Sequence, residues 1–76
     1  MVDVKLVRAE LGATIQAGKI TQEMLIEFQI VGQDVIQGLT VPLTDILAKG
    51  LAKALEEQCK KAGIIGENET LNIVTE

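Results

Sequence analysis

Residues Pro42 to Ala62 read PLTDILAKGLAKALEEQCKKA, and taking this stretch as one helix decides the fold. Pro42 stands where a first-turn proline belongs, because the N–H it lacks would be unpaired there. Thr40 or Thr44 can cap, and Asp45 puts negative charge near the positive end of the helix dipole. Lys60 and Lys61 occupy the last turn, Gly63 follows at the left-handed stop position, and Ile64 is placed to pack back on the final turn. Ala, Leu, Lys and Glu, all strong helix formers, fill the interior. Glu56 with Lys60 and Glu57 with Lys61 are correctly oriented i,i+4 pairs, worth about 0.2–0.5 kcal/mol each.

At 100° per residue, Asp45, Lys49, Lys53, Glu56, Glu57 and Lys60 share one side of this helix, a solvated charged face. Leu43, Leu47, Gly50, Leu51, Ala54, Leu55 and Cys59 fill an apolar arc of about 200°, wider than the ~100° stripe a surface helix needs. A helix of that kind touches two things, its own sheet and a neighbour. Gly50 fits a tight helix–sheet contact.

Upstream, VRAELGATIQA (residues 7–17) is apolar at every odd position, the period of a strand with one buried face. Earlier the phase flips to Val2, Val4 and Leu6, so either a bulge lies near Leu6 and Val7 or that end of the sheet is buried on both sides. Gly18-Lys19 reads as a two-residue hairpin turn. The next run, ITQEMLIEFQIV, is apolar at Met24, Ile26, Phe28 and Ile30. That turn sets Ala13 opposite Met24 and Ala9 opposite Phe28, small against large. A helix over residues 22–37 is the rival parse, opposed by Gly32 and the density of β-branched residues. Gly32-Gln33-Asp34 makes a second turn, Val35 to Val41 a third strand, and Thr70 to Thr75 a short last strand.

The expected fold is therefore α+β: a small antiparallel sheet built from a β-hairpin and a third strand, one long helix packed on one face, and a short C-terminal strand. That last strand returns to its own sheet or adds to a neighbour's edge. The helix covers the face bearing Ala9, Ala13, Met24, Ile26 and Phe28. A second apolar patch, Val4, Leu6, Leu25, Val31, Val35, Leu39 and Val41 with Val2 beside it, is left as the candidate subunit interface.

Seventy-six residues make one domain near the size at which a lone core becomes marginal. Yet a third of the chain is Ile, Leu or Val and 47% of it is hydrophobic, more than a small monomer hides. A homo-oligomer is the expectation. The net charge of −4, the scattered basic residues and the absence of Trp and Tyr argue against direct nucleic-acid binding. No apolar run reaches membrane-spanning length and no signal-peptide layout opens the chain, so the cytoplasm is the expected location and no membrane partner is expected. One cysteine cannot staple the fold.

Chemistry-bearing motifs are few. Without histidine the usual neutral-pH acid/base and the commonest metal ligand are missing. Cys59, near the C-terminal end of the helix, sits at the wrong end of the dipole for a thiolate and reads as core. Gly32, Gln33, Asp34, Gln37 and Gly38 form a glycine-flanked turn without the Lys-Ser/Thr of a phosphate loop; they are the candidate ligand or partner turn. No catalytic residue, cofactor or metal site is expected. The composition points to a non-enzymatic homo-oligomeric protein-interaction module, a small regulatory, adaptor or phage-type structural protein whose first partner is itself. The alternative is a small binding protein that sequesters a ligand, or blocks a host or viral enzyme, at a site between subunits.

Overall fold

The computed structural model describes residues 1–75. The elements run β1 (Val2–Gln16), β2 (Lys19–Ile30), β3 (Ile36–Pro42), α1 (Leu43–Lys49), α2 (Leu51–Lys61) and β4 (Leu71–Ile73). They form one four-stranded sheet in the order β3-β2-β1-β4. The three long strands are antiparallel, and β4 joins β1 in parallel, Val2 opposite Leu71 and Val4 opposite Ile73. The fold is thus α+β as expected, but the sheet is mixed, and the C-terminal strand returns to its own sheet. Residues 22–37 contain the second half of β2 and the start of β3, which disposes of the helical parse.

The hairpin turns through Ala17 and Gly18, both at positive φ (50° and 76°), one residue earlier than the Gly18-Lys19 expectation. Positive φ at both loop positions is the type I′ geometry, whose twist matches that of the flanking strands. Ile15 then opposes Ile20, Leu11 opposes Met24 and Ala9 opposes Ile26. This register is displaced by two from the one set by Gly18-Lys19. A displacement of two leaves every side chain on its own face.

The phase flip in β1 is a bulge. Leu6 opposes Phe28 but Arg8 opposes Glu27, leaving Val7 as the extra residue. Beyond it, Val4 (opposite Ile30) and Leu6 share the face of Ile26 and Phe28. On the other side, β3 places Val41 opposite Met24 and Leu39 opposite Ile26, while Leu25 faces Thr40 on the outer surface. Leu39 and Val41 therefore do not share a side with Leu25, as the sequence suggested. The strand begins at Ile36, and the connection from Val31 to Val35 fixes the opposite phase.

The expected single helix is two. Gly50 takes φ 88° and ψ 159°, a region essentially closed to side-chain-bearing residues, and serves as both C-cap of α1 and N-cap of α2. Its N–H donates to the Ile46 carbonyl at 2.8 Å and its carbonyl accepts from Ala54 at 3.1 Å. No neighbouring atom lies within 4 Å of where a Cβ would stand. The glycine thus serves backbone direction rather than a tight helix–sheet contact. Neither Thr40 nor Thr44 caps; Pro42 ends β3 and leads directly into α1.

The C-terminal end of α2 is as read from sequence. Ile64 N–H donates to the Cys59 carbonyl at 2.9 Å and Gly63 N–H to Lys60 at 3.1 Å, with Gly63 at φ 75°. These are the two bonds of a Schellman motif.

α2 lays Ala54, Leu55 and Cys59 on Val4, Ile26, Phe28 and Val41, and Ile65 and Leu71 complete the buried core. Leu51, expected near the middle of the apolar arc, is only half-buried. Among the described residues no helix is long and apolar enough to cross a membrane. Two substitutions test this packing. Leu55→Ala should cost about 2–5 kcal/mol in a urea titration, the range for emptying a buried leucine site. Gly50→Ala, placed at a glycine-only conformation, should cost about 1–3 kcal/mol although it meets no steric obstacle; an unchanged midpoint there would mean the helix break is not held by Gly50.

Candidate interaction surface

The core occupies only one end of the sheet. The principal extents are 42 × 24 × 20 Å, and the radius of gyration is 12.7 Å against about 11 Å for a compact chain of this length. The excess is the β1–β2 hairpin, which runs on past β3 and β4: β3 pairs only as far as Glu23 and β4 only with Val2 to Val4. Residues 13–22 form a two-stranded arm, and residues 7–12 of β1 are the open edge of the sheet leading to it.

The arm and the edge leading to it keep their alternation without a cover. Leu11 is 59% exposed, Ile15 72% and Ile20 71%, and Ala9 and Ala13 on the same face are exposed as well. Leu47 of α1, 78% exposed, borders the arm. It shares a hollow of about 340 Å³ with Ile20, Gln22 and Leu43. None of the residues of α1 is buried, and Leu47 is the barest large hydrophobic on it. Ala9 and Ala13 were expected beneath the helix, but α2 reaches no further along the sheet than the core.

The opposite face of β1 and β2 is mostly polar, with Leu25 the exposed exception. Arg8 pairs with Glu10 and lies 3.8 Å from Glu27, and Thr14 Oγ1 donates to Glu23 at 2.7 Å. The carboxylates hold the Arg8 guanidinium above its ordinary pKa, first through the Glu10 hydrogen bond. Exposed pairs of this kind add little stability, but they mark this face as the solvated one.

The seven residues expected to form an interface do not come together. Val4 and Val41 are fully buried in the chain's own core and Leu39 packs half-buried against it, so these three are withdrawn as contact residues. The bulge is the reason for Val4, and the register of β3 for Leu39 and Val41. Leu6, Leu25, Val31 and Val35 are exposed, but on separate surfaces: Leu6 beside the bulge on the core face, Leu25 on the outer face, Val31 and Val35 in the β2–β3 connection. The continuous bare row is instead Leu11, Ile15 and Ile20 on the core face of β1 and β2. One unbroken helix over residues 42–62 would have covered this row; the break at Gly50 leaves it open.

The candidate turn is likewise divided. Gly32 turns at φ 95° and the Gln33 carbonyl accepts from the Gln29 side chain at 2.6 Å, with Asp34 exposed beside them. Gln37 and Gly38 belong to β3, opposite Phe28 and Glu27. A hollow of about 360 Å³ lies here, lined by Lys5, Gln29, Val31, Gly32 and Val74, none of them buried.

Three side chains of α2 bear on the chemistry: Glu56, Glu57 and Cys59. Glu56, assigned to the solvated face, is 4% exposed. It accepts the Leu71 N–H at 2.8 Å, with Lys53 at 3.3 Å and Lys60 at 3.6 Å. The Leu71 hydrogen bond and then the two lysines hold its carboxyl below the ordinary value, outweighing desolvation. Glu57 bonds Lys49 at 2.7 Å across the helix break, where the sequence suggested Lys61, and its carboxyl is also lowered, first by that hydrogen bond. Cys59 is buried as expected, and burial pushes its thiol up to about 11. Among the described residues no cluster of His, Cys, Asp and Glu is arranged to hold a metal ion.

No protein-family model, curated protein or solved structure matches the chain.

Glu56 and Cys59 generate two predictions. Because the folded carboxyl of Glu56 titrates below its unfolded value near 4.5, its contribution is complete above that value and disappears as pH falls through the lower folded one. Wild type should therefore lose melting temperature on acidification below pH 4.5 more steeply than Glu56→Gln, which should melt several degrees lower at pH 7; parallel curves would deny the Leu71 tie. Cys59 should resist an aromatic disulfide reagent at pH 8 in the native protein and react fully in denaturant. Rapid native labelling would show the thiol is not enclosed.

Proposed function

We propose that this chain is a non-enzymatic, homo-oligomeric interaction module that works through its apolar arm. The observation that carries the reading is the uncovered row Leu11, Ile15, Ile20 and Leu47, each at least 59% exposed. The row continues the core face outward rather than being scattered over the surface. A two-stranded hairpin is marginal in water without a surface behind it, and contiguous apolar area beyond a few hundred Å² marks a contact site. The ligand-sequestering alternative has weaker support. Its hollow at Gly32 is rimmed by exposed and half-buried residues, without the enclosed apolar lining and convergent polar groups of a ligand site.

Light scattering on wild type should give a mass at least twice 8.2 kDa. Ile20→Lys with Leu47→Lys should shift the population toward that monomer mass while leaving the far-ultraviolet spectrum unchanged, since neither side chain belongs to the core. A wild type that stays at the single-chain mass up to millimolar concentration would overturn the reading.

A further inference from the structure

The arm has a free edge as well as a bare face, and the edge has a direction. Before the bulge, Val31 N–H donates to the Asp3 carbonyl, so odd residues of β1 bond toward β2. Val2 N–H bonds Thr70 and the Val4 carbonyl accepts from Val74, so even residues bond outward, toward β4. One extra residue at Val7 exchanges the two sets. From Arg8 on, even residues bond to β2, and Ala9, Leu11, Ala13 and Ile15 present their N–H and C=O groups outward. Among the described residues no strand reaches them there, since β4 stops opposite Val4.

We infer that this edge pairs antiparallel with the same edge of a second copy, about a two-fold axis at Gly12. The inference rests on the homo-oligomer reading above and specifies its geometry. The regular segment between bulge and turn, Arg8 to Gln16, is centred on Gly12. Read against its own reverse, it sets Ala9 opposite Ile15 and Leu11 opposite Ala13 of the other copy, small against large in the hydrogen-bonded positions. On the polar face Arg8 meets Gln16 and Glu10 meets Thr14. Moving the axis to Glu10 would instead place two glutamates directly opposite each other.

Gly12 lies at the close, non-hydrogen-bonded crossing, where Cα atoms approach to about 4.5 Å. Nothing inside the chain demands glycine there: its φ is not positive, and an added Cβ would meet only the Glu23 carbonyl oxygen at 3.9 Å. Close approach of another backbone is one of the reasons a strand interior takes glycine, and here the chain supplies no other. The partner's turn would arrive at the notch where β4 ends, a hollow of about 330 Å³ lined by Lys5, Leu6, Ile73, Val74 and Thr75. Pairing joins the two apolar floors into one.

Cysteine cross-linking of the full chain tests the register. Under mild oxidation Gly12→Cys should run mainly as a disulfide dimer on a non-reducing gel. Glu10→Cys should not cross-link to itself, because the two copies of residue 10 would stand about 14 Å apart, four residues along the strand, beyond a disulfide's reach of about 7 Å between Cα atoms. Glu10→Cys mixed with Thr14→Cys should cross-link. If wild type is oligomeric but Gly12→Cys cross-links no better than Glu10→Cys, the edge pairing is wrong and the homo-oligomer reading stands. If wild type is monomeric and Gly12→Cys also fails, both fall.

Discussion

A single extra residue, Val7, sets the phase of everything around it. Without the bulge, Val2, Val4 and Leu6 would face away from Phe28 and Ile26, and one end of the sheet would be apolar on both sides. With it, Val4 enters the core beneath α2 at zero exposure, and the alternation downstream continues on the same side of the sheet. The same residue also exchanges which backbone groups look outward. It therefore governs the position of β4, which bonds even residues before the bulge, and the character of the bare edge after it. Side-chain facing and backbone facing are coupled through the pleat, so one insertion resets both.

The second constraint closes the chain. β4 has three residues, too few to hold an edge by backbone bonds alone. Glu56 reaches from α2 to the Leu71 N–H, while Leu71 and Ile65 lie in the core cluster beside Cys59. A carboxylate used this way must stay charged, and Lys53 and Lys60 flank it for that purpose. The helix thereby carries on one side the apolar contacts that cover the sheet and on another the polar tie that positions the last strand. The Schellman end of α2 aims the chain toward that strand.

These two devices stabilise one end of the sheet and leave the other as an arm. An eleven-residue helix spans about 16 Å, so it covers the proximal sheet and no more. The sequence nevertheless continues to spend Leu11, Ile15 and Ile20 on the uncovered face. That excess over what α2 can cover is the physical basis of the proposed contact surface.

Local signals identified the hairpin, a phase change near Leu6 and Val7, the end of the helix and the excess of aliphatic residues, because strand alternation, the lysine-rich last turn, the Gly63 stop and composition are local properties of the chain. Distribution of that excess was another matter. Gly50 looks like any tolerated helix glycine until its φ is known, Glu56 sits among charged neighbours at perfect solvent spacing, and Leu39 and Val41 can be assigned to either face until the length of the Val31–Val35 connection is resolved in space. Each depends on residues far away in sequence: the partner N–H of Leu71 is fifteen positions from Glu56, and the face of β3 is fixed by its pairing with β2. Local chemistry chose the elements; only their packing decided which apolar surface is enclosed and which is left bare.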